Sequence, residues 1–133
     1  MVIMLVDDSA SIRKLAKDML AAVGVTGIME AENGKVAMQL LKDKMPDVII
    51  TDWNMPEING LTLVKMCRQL GLKQPIIMMT TESGKEQVVE AVKAGVNNYI
   101  VKPFTRDEFY KRLNETLVKF NLPVTTPPTA AAA

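Results

Sequence analysis

The chain has 133 residues and a formal net charge of +1, long enough for one domain with a substantial core and too balanced in charge for a broad nucleic-acid-binding face. It has no histidine and one cysteine, Cys67, which excludes Ser-His and Cys-His nucleophile pairs, His-ligated zinc and an internal disulfide. Any metal must be held by oxygen, and the expected setting is cytoplasmic, with no secretory leader, no membrane segment and no direct nucleic-acid partner.

Val2 to Val6 is a short apolar run that fits a strand buried on both faces, and it ends in Asp7-Asp8. From Ser9 or Ser11 to Val23 the period becomes helical, with Ile12, Leu15, Ala16, Met19 and Leu20 on one side and Arg13, Lys14 and Lys17 on the other. Gly24 stops this helix. Ile28 to Ala31 reads as a second strand, and Asn33-Gly34 as a turn into a helix that carries Val36, Ala37, Leu40 and Leu41 inward and ends at Pro46. The next run, Val48 to Asp52, breaks off in Asp52-Trp53-Asn54-Met55-Pro56. Asn59-Gly60 opens a third helix with Leu63, Val64, Cys67 and Leu70 as its apolar positions, and Gly71 closes it.

Pro75 suits a strand start, and Ile76 to Met79 delivers Thr80 and Thr81 to the same relative position as Asp52. Ser83 and Glu86 have the spacing of a capping box, predicting a fourth helix to about Ala94 with Gly95 behind it. Tyr99 to Val101 is a fifth short strand, followed by Lys102-Pro103-Phe104. Thr105 and Glu108 repeat the capping-box spacing and start a last helix reaching about Phe120.

Five strand patterns alternating with five helical ones predict a doubly wound α/β fold, a five-stranded parallel sheet covered on both faces. The domain is expected over residues 1–120, with the Pro/Thr/Ala-rich segment 121–133 as a linker or an expression remnant. Scattered methionines and Cys67 read as packing, and no Gly-x-Gly-x-x-Gly or Walker lysine loop points to a nucleotide.

In a parallel sheet the strand ends Asp7-Asp8, Asp52, Thr80-Thr81 and Lys102 emerge at one edge, where ligands of open α/β sheets bind. Singly, each has a plain explanation: Asp8 could cap the first helix, the threonines could be turn residues and Lys-Pro a loop. Together they do not, because crowded carboxylates repel unless a cation joins them. Oxygen ligands and few carboxylates suit magnesium better than calcium. Three aspartates balance one divalent ion plus the Lys102 ammonium, and such a pocket suits a phosphoryl group gripped by Lys102 and the Thr80 hydroxyl. Asp52, on the central strand, is the natural covalent nucleophile.

These residues resemble the receiver domain of two-component response regulators, in particular the single-domain chemotaxis regulators (flavodoxin-like, CheY-like fold). The acidic pair Asp7-Asp8, the Asp52 to Pro56 block, Thr80, Tyr99 and Lys102-Pro103-Phe104-Thr105 fall in that family's order across residues 1–120. The resemblance implies phosphate transfer from a histidine kinase of the CheA type to Asp52. It also implies magnesium held by Asp8, Asp52 and the Asn54 main-chain carbonyl, with Asp7 ordering a metal-bound water. Thr80 and Lys102 would hold the phosphoryl oxygens, and the Lys102–Pro103 bond would be cis. Tyr99 would follow Thr80 in switching the surface of the fourth helix, fifth strand and fifth helix, where Lys85, Val88, Val92, Tyr99 and Arg112 would meet a partner such as the flagellar motor switch. Asn54 and Glu82 would tune dephosphorylation, with a phosphatase as a further partner. The chain would be a monomer and no multiple-turnover enzyme.

Two other readings start from the same residues. The chain could be the receiver of a larger regulator with a DNA-binding or enzymatic output domain, or a magnesium-dependent phosphatase with an aspartyl nucleophile. The haloacid-dehalogenase phosphatases place a second acid two residues after the nucleophile, where this chain has Asn54.

Overall fold

The apolar runs form five strands, β1 (Val2–Val6), β2 (Gly27–Ala31), β3 (Val48–Thr51), β4 (Ile76–Thr80) and β5 (Asn98–Val101). Between and after them lie α1 (Ala10–Ala22), α2 (Gly34–Asp43), α3 (Gly60–Gln69), α4 (Lys85–Ala94) and α5 (Arg106–Lys119). The computed structural model describes residues 1–126. All four strand pairings are parallel and the sheet order is β2-β1-β3-β4-β5, so the expected doubly wound class is what the chain adopts.

Alternation along the strands divides the core into two layers. Ile3 and Leu5 of β1, Val48 and Ile50 of β3, and Ile77 and Met79 of β4 face α1 and α5, packing on Leu20, Phe109, Leu113 and Leu117. Met4, Val6, Ile49, Ile76 and Met78 face the other way, onto Ala37 and Leu41 of α2, Leu63, Val64 and Cys67 of α3, and Ala91 of α4. Burial on both faces explains why β1, β3 and β4 read as unbroken apolar runs and not as alternating ones.

Four helices start on a side-chain cap: Ser9, Asn33, Asn59 and Thr105 each accept a hydrogen bond from a backbone N–H three residues on, an interaction worth about 1 kcal/mol. Gly24, Gly71 and Gly95 follow helix ends with positive φ, the last at 118°, a backbone region glycine enters without a Cβ penalty.

Several local expectations are corrected. The Ser83–Glu86 capping box does not form; α4 begins after Gly84, which makes no side-chain cap bond. The helix before Pro46 ends at Asp43, with Lys44 as its cap. Leu15 and Leu70, counted among the apolar positions of their helices, are exposed; they lie at the margin of helical faces already filled by Ala16 and Met19 or by Val64 and Cys67. Of the segment expected to be a linker, Leu122 packs against the α1/α5 layer. Thr125 is buried, and its N–H and hydroxyl both donate to Asn114 Oδ1 while its carbonyl accepts from Asn114 Nδ2. Residues 127–133 lie outside the described residues. Among the described residues no helix is long and apolar enough to cross a membrane.

Candidate functional site

Strand register carries the polar strand ends to one edge. Val6 of β1 is level with Ala31 of β2 and Thr51 of β3, Thr51 is level with Met78 of β4, and Thr80 is level with Val101 of β5. Asp7, Asp52 and Lys102 therefore each step off a strand at the carboxyl edge. Their backbones remain tied to the ladder: Asp7 N–H donates to the Ala31 carbonyl, Asp52 N–H to the Val6 carbonyl and Lys102 N–H to the Thr80 carbonyl.

Lys102 Nζ donates to Asp7 Oδ2 at 2.6 Å and to Asp52 Oδ2 at 3.1 Å. The ammonium side chain is 11% exposed and that of Asp7 only 2%, so these bonds form largely out of water. The remaining oxygens are also held. Asp7 Oδ1 accepts from Ser9 N–H at 2.9 Å, and Asp52 Oδ1 from Trp53 N–H at 2.6 Å. Asp8 is exposed, and Ser9, not Asp8, caps α1, so the capping explanation of this carboxylate fails. One carboxylate oxygen from each of Asp7, Asp8 and Asp52 lies within 4.8 Å of the others. The Lys102–Pro103 peptide bond is cis.

Burial disfavours the ionised Asp7 carboxylate and is only partly offset by the Lys102 hydrogen bond and the Ser9 N–H, so its pKa is raised. Burial also works against the Lys102 ammonium, but hydrogen bonds and charges from two carboxylates outweigh it and its pKa is raised as well. Burial thus dominates at Asp7, while two carboxylates around one ammonium dominate at Lys102. Three aspartates at −3 and Lys102 at +1 leave −2, the charge a divalent cation cancels. Donors that are all oxygen, with a −2 deficit to cancel, fit magnesium.

The loop after Asp52 is packed too tightly to wander. Trp53 carbonyl accepts from Gly60 N–H at 2.8 Å, and a Cβ on Gly60 would lie 1.8 Å from the Asp52 carbonyl oxygen. Across the mouth, the exposed Asn54 amide donates to Glu82 Oε1 at 2.9 Å. Glu82 is a junction: its N–H donates to Thr80 Oγ1 at 3.3 Å, and its carbonyl accepts the Tyr99 hydroxyl at 2.5 Å. The Tyr99 phenol, half-buried and near the Glu82 and Asp52 carboxylates, is pushed up to about 12.

Of the expected partner surface, Lys85 and Val92 of α4 are exposed, while Val88, Tyr99 of β5 and Arg112 of α5 are half-buried. Val89 and Val101 are exposed apolar neighbours on the same elements that the sequence reading omitted. Arg13, placed by the sequence only on the polar side of the first helix, is part of this edge: its Nη1 donates to the Asp7 carbonyl and its Nε pairs with Glu30. An arginine among lysines on the polar side of a helix reads as solvated, and only the packing of α1 beside the end of β1 and β2 reveals its partners.

The sequence model of the response regulator receiver domain matches residues 3–114. A chemotaxis protein CheY homolog of Campylobacter jejuni is 49% identical over 120 residues, covering 88% of this chain and 92% of the relative. Chemotaxis protein CheY1 of Helicobacter pylori is 50% identical over 121 residues, covering 88% and 97%. Among solved structures, chemotaxis protein CheY4 of Vibrio cholerae superposes with a TM-score of 0.80 at 35% identity, covering 86% of this chain and 97% of that one. The Francisella response regulator 1452 receiver domain gives 0.82 at 30% identity, covering 89% and 97%. With its acids, lysine and parallel sheet so arranged, the chain belongs to the response regulator receiver domain family.

Proposed function

We propose that this protein is a phosphorylation-controlled signalling module of the chemotaxis type, in which Asp52 takes a phosphoryl group from the phosphohistidine of a CheA-like kinase. The observation that carries this is the Lys102 ammonium bridging Asp7 and Asp52 with Asp8 alongside. That arrangement is charge-unbalanced as it stands and balanced by one divalent cation. Asp8, Asp52, the Asn54 main-chain carbonyl and, through water, Asp7 would hold magnesium, which when bound neutralises charge on the phosphoryl oxygens. A carboxylate oxygen of Asp52 bonds to phosphorus as the donor's phosphorus–nitrogen bond breaks and the imidazole nitrogen keeps the electron pair. Lys102 shifts its second hydrogen bond from Asp52 to a phosphoryl oxygen, and the Thr80 hydroxyl supplies another.

The Thr80–Glu82–Tyr99 chain of hydrogen bonds supports a route outward. When the Thr80 hydroxyl turns to the phosphoryl group, the Glu82 N–H loses its acceptor, and the loop that anchors the Tyr99 hydroxyl must rearrange. The α4–β5–α5 surface, with Lys85, Val88, Val92, Tyr99 and Arg112, then changes its affinity for a partner such as a flagellar motor switch protein. Asn54 and Glu82, joined across the mouth, stand where water must reach the aspartyl phosphate, and so tune its lifetime with or without a phosphatase.

The test is phosphorylation by acetyl phosphate in magnesium, followed by capture on motor-switch and kinase fragments. Wild type is labelled and Asp52→Asn is not; equal labelling of both ends this reading. Phosphorylation should change retention on the switch fragment, and unchanged retention would end the chemotaxis part alone.

A further inference from the structure

Arg13 lies on α1 one turn beyond its Ser9 cap, where a charged side chain would be expected to extend into solvent. Its side chain is instead only 17% exposed. The guanidinium works in two directions: Nη1 donates to the main-chain carbonyl of Asp7, and Nε donates to Glu30 Oε1 on β2 at 3.4 Å. Lys17, one turn further along α1, holds the other Glu30 oxygen at 3.2 Å. Glu30 is thus straddled by two cations from α1, and the guanidinium meets the Asp7 carbonyl from a fixed direction.

That carbonyl belongs to the peptide unit leading into Asp8, just past the end of the β1 ladder. Around it, Asp7 N–H is bound to the Ala31 carbonyl and Ser9 N–H to Asp7 Oδ1. With Arg13 on the carbonyl, the Asp7–Ser9 turn is held at each of these points, and rotating the Asp7–Asp8 peptide would break a charge-assisted bond. Asp8 needs such support, because its exposed carboxylate caps no helix and takes its aim from the backbone beneath it.

We propose that Arg13, anchored by Glu30, is a positioning residue that fixes the Asp7–Asp8 peptide so that the Asp8 carboxylate stays turned toward Asp52 to share a divalent cation. The proposal rests on the reading of the three aspartates as a magnesium site. Arginine suits the task because its planar fork directs two separate N–H groups at once, whereas a lysine offers one charge point without that geometry. Groups that orient metal ligands from behind typically alter metal affinity by about 10- to 100-fold when removed.

The experiment titrates magnesium chloride into the full chain, following Trp53 fluorescence, and measures acetyl phosphate labelling across the same magnesium range. Arg13→Ala should raise the magnesium concentration for half-saturation by about ten-fold, while the labelling rate at saturating magnesium falls by no more than about two-fold. Glu30→Gln should move the half-saturation point the same way by less, and Arg13→Lys should recover only part of the loss. Lys14→Ala removes the same charge from α1, where Lys14 pairs with exposed Asp18, and should titrate like wild type.

The proposal is overturned if wild type binds magnesium and Arg13→Ala titrates with it, or if Lys14→Ala shifts as far as Arg13→Ala. A wild type with no saturable response to magnesium would instead sink the reading of the acidic site, and this inference with it. If Arg13→Ala melts below the assay temperature, Arg13→Gln and Glu30→Gln decide the same question by the same criterion.

Discussion

Lys102 and Arg68 sit at opposite edges of the sheet, both partly withdrawn from water, and they are satisfied in different ways. Arg68, at the end where β4 and β5 begin, donates to the carbonyls of Leu72, Gln74 and Gly95 and to Asn97 Oδ1. All of those acceptors are neutral. Lys102, where the strands end, is bound by two carboxylates, with a third nearby. Burial accordingly lowers the pKa of Arg68, while the carboxylates outweigh burial and raise that of Lys102. A cation closed off by carbonyls has nothing left to bind and serves to tie the α3 end to the α4–β5 turn. A cation shared among too many acids marks a place still short of positive charge, which is where chemistry can enter.

The two cations should fail differently when replaced. Lys102→Ala should lower acetyl phosphate labelling by about 10²- to 10³-fold, the usual cost of removing one directed donor to a developing negative charge. It should also lower the affinity for a motor-switch fragment of whatever phosphoprotein forms. Labelling within a few-fold of wild type would mean that the ammonium only neutralises the resting site.

Arg68→Ala should instead cost about 2 kcal/mol of stability, read from the urea midpoint, because carbonyls it now satisfies lose a charged donor. The labelling rate of the folded variant should stay close to wild type. A large fall in labelling without loss of stability would show that the two edges are coupled.

The smallest effect concerns Tyr99. Its phenol should ionise near 12, against an ordinary value of 10, with burial as the main cause and the Glu82 and Asp52 charges adding to it. A folded-state pKa raised in this way contributes stability that is fully present below about 10 and is lost as the pH climbs toward 12. Phenolate absorbance, with Tyr99→Phe subtracted to remove Tyr110, checks this. Asp52→Asn should draw the value down by the minor share owed to that charge. An ordinary phenol pKa would mean that Tyr99 does not sit against the Glu82 loop in solution.

The sequence is most legible where one residue's role depends on chain direction alone. Runs buried on both faces announce the strands of the central sheet, and Asp7, Asp52, Thr80 and Lys102 follow from stepping off those strands in parallel. It is least legible where two distant segments decide together. Thr105–Glu108 and Ser83–Glu86 share a spacing, yet only Thr105 caps its helix, because α4 starts one residue later, with Gly84 and not Ser83 at the cap position. Arg13 and Arg68 look like solvated helix charges until β2 and the α4–β5 turn bring their acceptors. Leu122 and Thr125 look unpartnered until α5 presents Leu117 and Asn114.

The Lys102–Asp7 bond joins residues 95 positions apart in the chain. A ribosome that has delivered the first four strands has made all three aspartates, but not the ammonium that must stand among them. The Lys102–Asp7–Asp52 cluster is therefore completed late in synthesis, with β5 and the residue that follows it. A chain stopped before that point holds the acids without the cation that bridges two of them.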